Sequence, residues 1–135
     1  MASSTRGRVA HRTVIRAVAE RHAEQERLIG EARTYVERLA RRMPVVAAGV
    51  AGSVARGDFN LWSDVDVVVV AENLPQRVPE RLELLWRDKL GAVQPVGFTP
   101  DELRTERARR NPLVRELAAR GVILLGEPRL RELLT

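Results

Sequence analysis

The sequence contains no cysteine, and Lys89 is its single lysine. Without cysteine the chain forms neither disulfide bonds nor thiolate metal sites. It also has no uninterrupted apolar run near the ~20 residues that a transmembrane helix needs. Its first residues lack the apolar segment of a secretory signal. We therefore expect no membrane segment and a cytoplasmic location.

Aromatic residues are also scarce, at 4% of the chain. Proteins that bind single-stranded nucleic acid usually stack the bases on aromatic side chains, so a nucleic-acid-binding module has only the net charge of +5 in its favour. Such a charge attracts nucleic acid or nucleotides, but arginine and glutamate alternate closely in most predicted helices, which is typical of solvated helix faces. Arg56 and the basic run at residues 107–110 are the exceptions.

Proline is absent before Pro44, and the segment from about Arg8 to Met43 is rich in alanine, arginine and glutamate. This composition predicts a long helix or a pair of helices, with a break or a kink at Gly30. We assign residues 1–43 to this helical extension and residues 44–135 to the main part of the same domain. A chain of 135 residues is typical of a single domain.

The helical extension carries a heptad-like stripe of residues at spacings of three and four. Its members are Ile15, Val18, His22, Gln25, Ile29, Ala32, Val36, Leu39 and Met43. We expect the half from Ile29 onward to pack on the sheet and the first half to project beyond it. The projecting half is therefore our candidate for a homodimer contact or for contact with a partner protein.

The centre of the sequence is the stretch Gly49–Ala71, which combines a glycine-rich turn, a serine and two aspartates. Its last part, Val65–Ala71, is dense in β-branched residues and predicts a strand buried on both faces. Asp64 and Asp66 stand at the start of this strand, and side chains two positions apart point to the same side. Two such carboxylates repel each other unless a cation or a proton lies between them, and their oxygen atoms suit Mg²⁺ or Mn²⁺.

A second apolar run, residues 45–51, predicts another strand, which leads into Gly52 and Ser53. Glycine has no Cβ and lets a phosphate approach the backbone, and a helix that starts at Ser53 attracts anions with its N-terminus. Gly52, Ser53 and Arg56 are therefore candidates for binding nucleotide phosphates. Taken alone, each feature also has a purely structural explanation. A Gly-Ser pair is usually a simple turn, and an aspartate before a strand is usually a turn residue.

Taken together, the Gly-Ser turn and the aspartate pair resemble the motifs of a known family. The sequence Gly-Ser-Val-Ala-Arg-Gly at residues 52–57, followed by Ser-Asp-Val-Asp at residues 63–66, resembles the minimal nucleotidyltransferases of the DNA polymerase β superfamily. The resemblance implies that the Gly-Ser turn holds nucleotide phosphates and that Asp64 and Asp66 bind the metals that align a nucleoside triphosphate. It also implies a third carboxylate on a later strand, at a position where this sequence has Gln94.

The rest of the chain alternates helices and strands. The predicted elements are a helix at residues 76–90, an edge strand at 92–98, helices at 99–110 and 111–121, a strand at 122–125 and a tail helix at 130–134. In the loop before the aspartates, Phe59 and Trp62 are expected to anchor the loop on the domain. The fold class is therefore α+β (α/β), the nucleotidyltransferase fold, with a mixed sheet of about four strands packed by helices.

From the resemblance we expect a metal-dependent nucleotidyltransferase that moves a nucleoside monophosphate from a nucleoside triphosphate to a hydroxyl acceptor. The activity is expected to be weak or degenerate, because Gln94 is neutral. The alternative is a nucleotide-binding, antitoxin-like subunit that acts on a small helical partner protein, since minimal nucleotidyltransferases are often paired with such proteins.

Overall fold

The helices and strands follow the apolar periodicity of the sequence in a computed structural model that describes residues 2–135, with side chains described from residue 7 onward. The helices are α1 (Ala2–Arg42), α2 (Gly52–Arg56), α3 (Val78–Trp86), α4 (Pro100–Ala108), α5 (Pro112–Arg120) and α6 (Glu127–Leu133). The strands are β1 (Val45–Ala51), β2 (Val65–Ala71), β3 (Val93–Phe98) and β4 (Val122–Leu125). All four predicted strands are present, and the predicted fold class is confirmed.

The four strands form one mixed sheet in the order β3-β2-β1-β4. Strand β1 pairs antiparallel with both β2 and β4, whereas β2 and β3 run parallel. Helix α3, which the sequence predicts at residues 76–90, forms the crossover that connects the parallel pair. Strand β3 lies at an edge of the sheet, as Pro95 predicted, because proline has no N–H to donate to a further strand.

Helices cover both faces of the sheet and bury a separate apolar cluster on each. On one face, α1 and α3 pack over Val67 and Val69 of β2. On the other face, α4, α5 and α6 pack over Val68 and Val70. Successive residues of one strand thus enter opposite clusters, because side chains alternate along a strand. The prediction that β2 is buried on both faces is confirmed.

Helix α1 is continuous, so the predicted break at Gly30 is wrong. The apolar spacing of Leu28, Ala32, Tyr35 and Leu39 passes through this position, and all four side chains are buried. Gly30 lies on the exposed side of the helix, where glycine costs about 1 kcal/mol relative to alanine. Burial of the two leucines, at roughly 1.5–3 kcal/mol each, outweighs that cost.

The first half of α1 carries an exposed apolar stripe, whereas the second half packs on the sheet as predicted. Val14, Ile15 and Val18 each leave more than half of their surface in solvent. No helix in the described part of the chain, α1 included, is both long and apolar enough to cross a membrane. Since exposed apolar patches commonly mark protein contacts, the stripe stays our candidate for a dimer or partner interface.

Replacing both Val14 and Val18 by aspartate is expected to disrupt self-association. Two carboxylates at the centre of an apolar helix interface would be desolvated without a partner, which is strongly unfavourable. Light scattering should then give twice the chain mass for the parent and the single-chain mass for the variant. Thermal stability should change by no more than about 0.5 kcal/mol, because both side chains are already exposed in the single chain.

The matched control is Val9→Asp. Val9 is 59% exposed and Val14 is 60% exposed, but Val9 lies about 140° away from Val14 around the helix axis. This control should leave the mass of the parent assembly unchanged. The assignment of the stripe as an interface would be contradicted if the parent chain is monomeric by itself and also in a mixture with the protein encoded by the neighbouring gene.

Candidate active site at the glycine turn

Strand β1 passes into helix α2 through a turn that only glycine fits. Gly52 has a φ of +74°, in the left-handed region that favours glycine. A Cβ atom at this position would also collide with Oδ2 of Asp66. Helix α2 ends at Gly57, which has a φ of +88° and donates its N–H to the carbonyl oxygen of Ser53 at 2.8 Å. The predicted glycine turn followed by a short helix is confirmed.

The register of the sheet brings the aspartates to this turn. In the antiparallel pair of β1 and β2, Asp66 lies opposite Ala51, the residue before Gly52. Asp64 directly precedes β2, and the alternation of side chains directs it to the same side as Asp66. Asp66 is half-buried and Asp64 is exposed. Of the predicted site residues, Gly52 and Asp66 are therefore in direct contact, with Asp64 at the open edge of the site.

The environment of Asp66 disfavours its negative charge. Burial raises the pKa of Asp66 above its usual range, and the nearby charges of Asp64 and Glu116 raise it further, while Arg56 opposes the shift. In the described part of the chain, the side chains of Asp64 and Asp66 make no hydrogen bond and no salt bridge. The carboxylate pair thus lacks a positive charge or donor in direct contact, and a bound cation would supply one.

The carboxylate oxygens of Asp64 and Asp66 fit a divalent metal whose remaining ligands come from water or substrate. Within the described residues, no three histidine, cysteine or acidic side chains are gathered closely enough to enclose an ion. Asp64 and Asp66 offer carboxylate oxygens only, which suits Mg²⁺ or Mn²⁺ that keeps waters and takes other ligands from phosphates. The arrangement suits a metal held jointly with a substrate better than a permanent structural ion.

Gln94 lies where the resemblance implies a third carboxylate. In the parallel pair of β2 and β3, Gln94 is the direct partner of Asp66, and neighbouring strands lie about 4.8 Å apart. Paired residues point to the same face of a sheet, so the amide and the carboxylate share one side. Strand β3 supplies no acidic side chain at all, since its sequence is Val-Gln-Pro-Val-Gly-Phe.

Arg56 is held by two carboxylates that the sequence did not single out. Its Nε donates to Asp58 at 3.2 Å, and its Nη1 donates to Glu116 of α5 at 2.7 Å. Asp58 and Glu116 thus orient Arg56. The signal for Glu116 is the spacing of Pro112, Arg115, Glu116, Ala119 and Arg120, which places these residues on one side of α5. Nothing in the sequence indicates that this side faces α2.

Helix α1 contacts the glycine turn through two polar side chains. Gln25 donates from Nε2 to the carbonyl oxygen of Val54 at 2.8 Å. Arg21 donates from Nε to the carbonyl oxygen of Gly57 at 2.9 Å and from Nη2 to that of Phe59. Its guanidinium also lies 4.6 Å from the centre of the Phe59 ring. Arg21 and Gln25 therefore attach α1 to the site.

The loop between α2 and β2 is anchored by only one of its two aromatic residues. Phe59 is buried, as predicted, but the prediction for Trp62 is wrong, since 90% of its surface is exposed. Asn60 closes a tight turn here by accepting the backbone N–H of Trp62 on Oδ1 at 2.8 Å. The indole projects into solvent two residues before Asp64.

Comparison with known proteins identifies the family. The family model described as the nucleotidyltransferase domain matches residues 32–123, which is more than half of the chain. The chain belongs to the nucleotidyltransferase domain family. The match begins inside α1 and includes the glycine turn, both aspartates and Gln94. No curated protein matches the sequence.

A solved structure also supports the assignment of this chain to the nucleotidyltransferase family. A crystal structure described as a proposed nucleotidyltransferase from Sulfolobus solfataricus is similar at a TM-score of 0.55 and 25% identity, over 73% of this chain and 80% of that one. A toxin-antitoxin structure with AMP-PNP is similar at a TM-score of 0.55 and 20% identity, over 76% of this chain and 80% of that one. The second likeness is evidence for the fold alone.

Proposed function

We propose that this nucleotidyltransferase moves a nucleoside monophosphate from a nucleoside triphosphate to a hydroxyl acceptor, with Mg²⁺ or Mn²⁺ as cofactor. The acceptor oxygen forms a bond to the α-phosphorus, the bond from that phosphorus to pyrophosphate breaks, and the hydroxyl proton leaves to a base or water. The observation that carries the proposal is the contact between the Asp66 carboxylate and the glycine turn. In this proposal, the carboxylate that binds the metal lies beside the backbone that binds the phosphates.

Each site residue has a distinct role in this proposal. Asp64 and Asp66 would hold the metal, which would supply positive charge next to the phosphate oxygens of the triphosphate. The backbone at Gly52 and the hydroxyl of Ser53 bind phosphate oxygens, and the Ser53 hydroxyl makes no hydrogen bond within the described part of the chain. Arg56, held by its two carboxylates, presents its guanidinium to the phosphates.

Gln94 makes the transfer slow in this proposal. Its carbonyl oxygen can accept a hydrogen bond from the acceptor hydroxyl, but a neutral amide cannot take the proton at neutral pH. General-base assistance typically contributes about 10²- to 10⁴-fold to a rate. The chain alone is therefore expected to bind nucleotide well and to transfer it slowly, unless a partner supplies a carboxylate near Gln94.

A second candidate function is an antitoxin-like subunit that binds nucleotide and acts on a small helical partner protein. Two observations favour it. The toxin-antitoxin neighbour with AMP-PNP has a similar fold, and the exposed stripe at Val14, Ile15 and Val18 offers a helical partner an apolar surface. In this second candidate function, the bound nucleotide controls how the chain acts on the partner, and no nucleotide is transferred.

Mass spectrometry after incubation with nucleotide tests both candidate functions, nucleotide transfer and nucleotide-controlled action on a partner. The chain is incubated with Mg²⁺ and each of the four ribonucleoside triphosphates, with and without the protein encoded beside it. A nucleoside monophosphate added to either protein is the expected result, and the modified protein identifies the acceptor. The control replaces the triphosphate with the corresponding monophosphate, which cannot release pyrophosphate. Binding of a triphosphate without any transfer would favour the antitoxin-like subunit.

A further inference from the structure

Helices α2 and α5 enclose a cleft beside the glycine turn, the α2/α5 cleft. Its volume is about 380 Å³, which is within the usual range for small-molecule sites of roughly 300–1,000 Å³. Gly52 lines the cleft together with the apolar residues Ala55 and Ala119. The cleft is therefore continuous with the turn that is proposed to bind phosphate.

The α2/α5 cleft carries an excess of positive charge. Arg56, Arg115 and Arg120 line it, and its single acidic lining residue is Glu116. Glu116 is already paired with Arg56 at 2.7 Å. Neither Arg115 nor Arg120 makes a salt bridge with a carboxylate in the part of the chain that the structure describes. Two guanidinium groups thus remain available for an anion.

The Arg56 guanidinium is fixed before any ligand binds. Asp58 accepts from Nε and Glu116 accepts from Nη1, which leaves Nη2 without a protein partner among the described residues. Fixing a side chain in its binding conformation lowers the entropic cost of binding. Arginine donors are also well suited to the oxygen atoms of phosphate groups. Arg56 lines the cleft, and its Nη2 group remains able to donate hydrogen bonds to a ligand there.

Glu116 does not take the place of the missing third carboxylate. Gln94 lies on β3, on one side of β2, whereas α5 packs on α2 and β1, on the other side. An acceptor hydroxyl next to Gln94 and the phosphates next to Gly52 would therefore occupy opposite sides of Asp66. Glu116 lies on the phosphate side, where its charge also contributes to the raised pKa of Asp66.

We infer that the α2/α5 cleft binds the β- and γ-phosphates of the nucleoside triphosphate through Arg56, Arg115 and Arg120, with Glu116 as the residue that positions Arg56. This inference rests on the proposed function and adds α5 to the nucleotide site. It predicts that the α5 residues distinguish a triphosphate from a monophosphate, because a monophosphate lacks the two groups that reach the cleft.

Calorimetric titration of the full chain in the presence of Mg²⁺ tests the role of the two free arginines. The tightest binder among the four ribonucleoside triphosphates is compared with its monophosphate. The double variant Arg115→Gln, Arg120→Gln should weaken triphosphate binding about tenfold or more and monophosphate binding less than twofold. The matched control is Arg104→Gln, Arg109→Gln, which removes the same charge from α4 and from the residue that follows it. Neither residue lines the cleft, so this control should change neither affinity.

A double-mutant cycle tests the positioning role of Glu116. Glu116→Ala should weaken triphosphate binding about tenfold in the parent, but should have no effect in an Arg56→Gln background. Glu116→Gln should recover part of the loss, because its amide oxygen still accepts from Arg56. A merely structural role would instead give the same loss in both backgrounds, together with a lower melting temperature.

The outcomes separate this inference from the proposed function. If the parent binds a triphosphate and the α5 variants bind it equally well, or Glu116→Ala binds it more tightly, the inference is overturned while the proposed function stands. Equal losses in the α4 control would also overturn it, since they would show a general charge effect. If the parent binds no triphosphate at all, the proposed function fails as well.

Discussion

The double variant Asp64→Asn, Asp66→Asn is expected to lose nucleotide transfer completely and to lose the metal-dependent rise in melting temperature. A ligand at a hundredfold excess over its Kd stabilises the folded state by about 2.7 kcal/mol, which raises the melting temperature of a domain this size by on the order of 10 °C. Amides carry no charge to hold a divalent cation. Differential scanning fluorimetry with a triphosphate, with Mg²⁺ and with both together measures this loss.

The same variant is expected to be at least as stable as the parent in the absence of metal. Burial and the charges of Asp64 and Glu116 raise the pKa of Asp66, so its ionised form is less favourable in the folded chain than in the unfolded chain. Removing the charge relieves this cost at pH values above the raised pKa. Loss of activity together with retained stability would separate a metal-binding role from a structural one.

The control for the aspartate pair is Asp101→Asn, Glu83→Gln. Both residues are exposed and lie on α4 and α3, so this variant removes two negative charges without touching the site. It should keep the full response to metal and triphosphate. If the Asp64, Asp66 double variant responds to metal and triphosphate as the parent does, the site has been placed at the wrong residues.

Replacing Gln94 by glutamate is expected to increase the rate of transfer by about 10²- to 10⁴-fold, the usual contribution of a general base. The register places residue 94 directly opposite Asp66, so the new carboxylate would lie beside the metal ligands and near an incoming hydroxyl. The KM for the triphosphate should stay within a few-fold, because residue 94 lies on the side of Asp66 away from the glycine turn. Single-turnover kinetics with labelled triphosphate measures the effect.

Gln76→Glu is the matched control for Gln94→Glu. Residue 76 is exposed and precedes α3, so the control adds the same charge at a distance from the site and should leave the rate unchanged. A parent chain that transfers nucleotide rapidly by itself, with a Gln94→Glu variant that is no faster, would contradict the prediction. That result would mean that the third acid lies elsewhere or that metal ions suffice.

The strands and the glycine turn could be predicted because their signals are local. The β-branched run Val65–Ala71 is buried on both faces by its own composition, and alternation along it directs Asp64 and Asp66 to one side. Gly52 is required by its own backbone conformation. The break at Gly30 was also a local prediction, and it failed because tertiary burial on both sides of the glycine outweighs its weak helix propensity.

The contacts that complete the site were decided by tertiary structure. Arg56 and Glu116 are 60 positions apart, and the sequence of α5 is that of an ordinary amphipathic helix, with nothing to show that its polar side meets α2. The pairing of Asp66 with Gln94 likewise depends on the parallel register of β2 and β3. Hydrophobic periodicity determines which side of an element is buried, but which elements meet depends on how all the buried sides pack together.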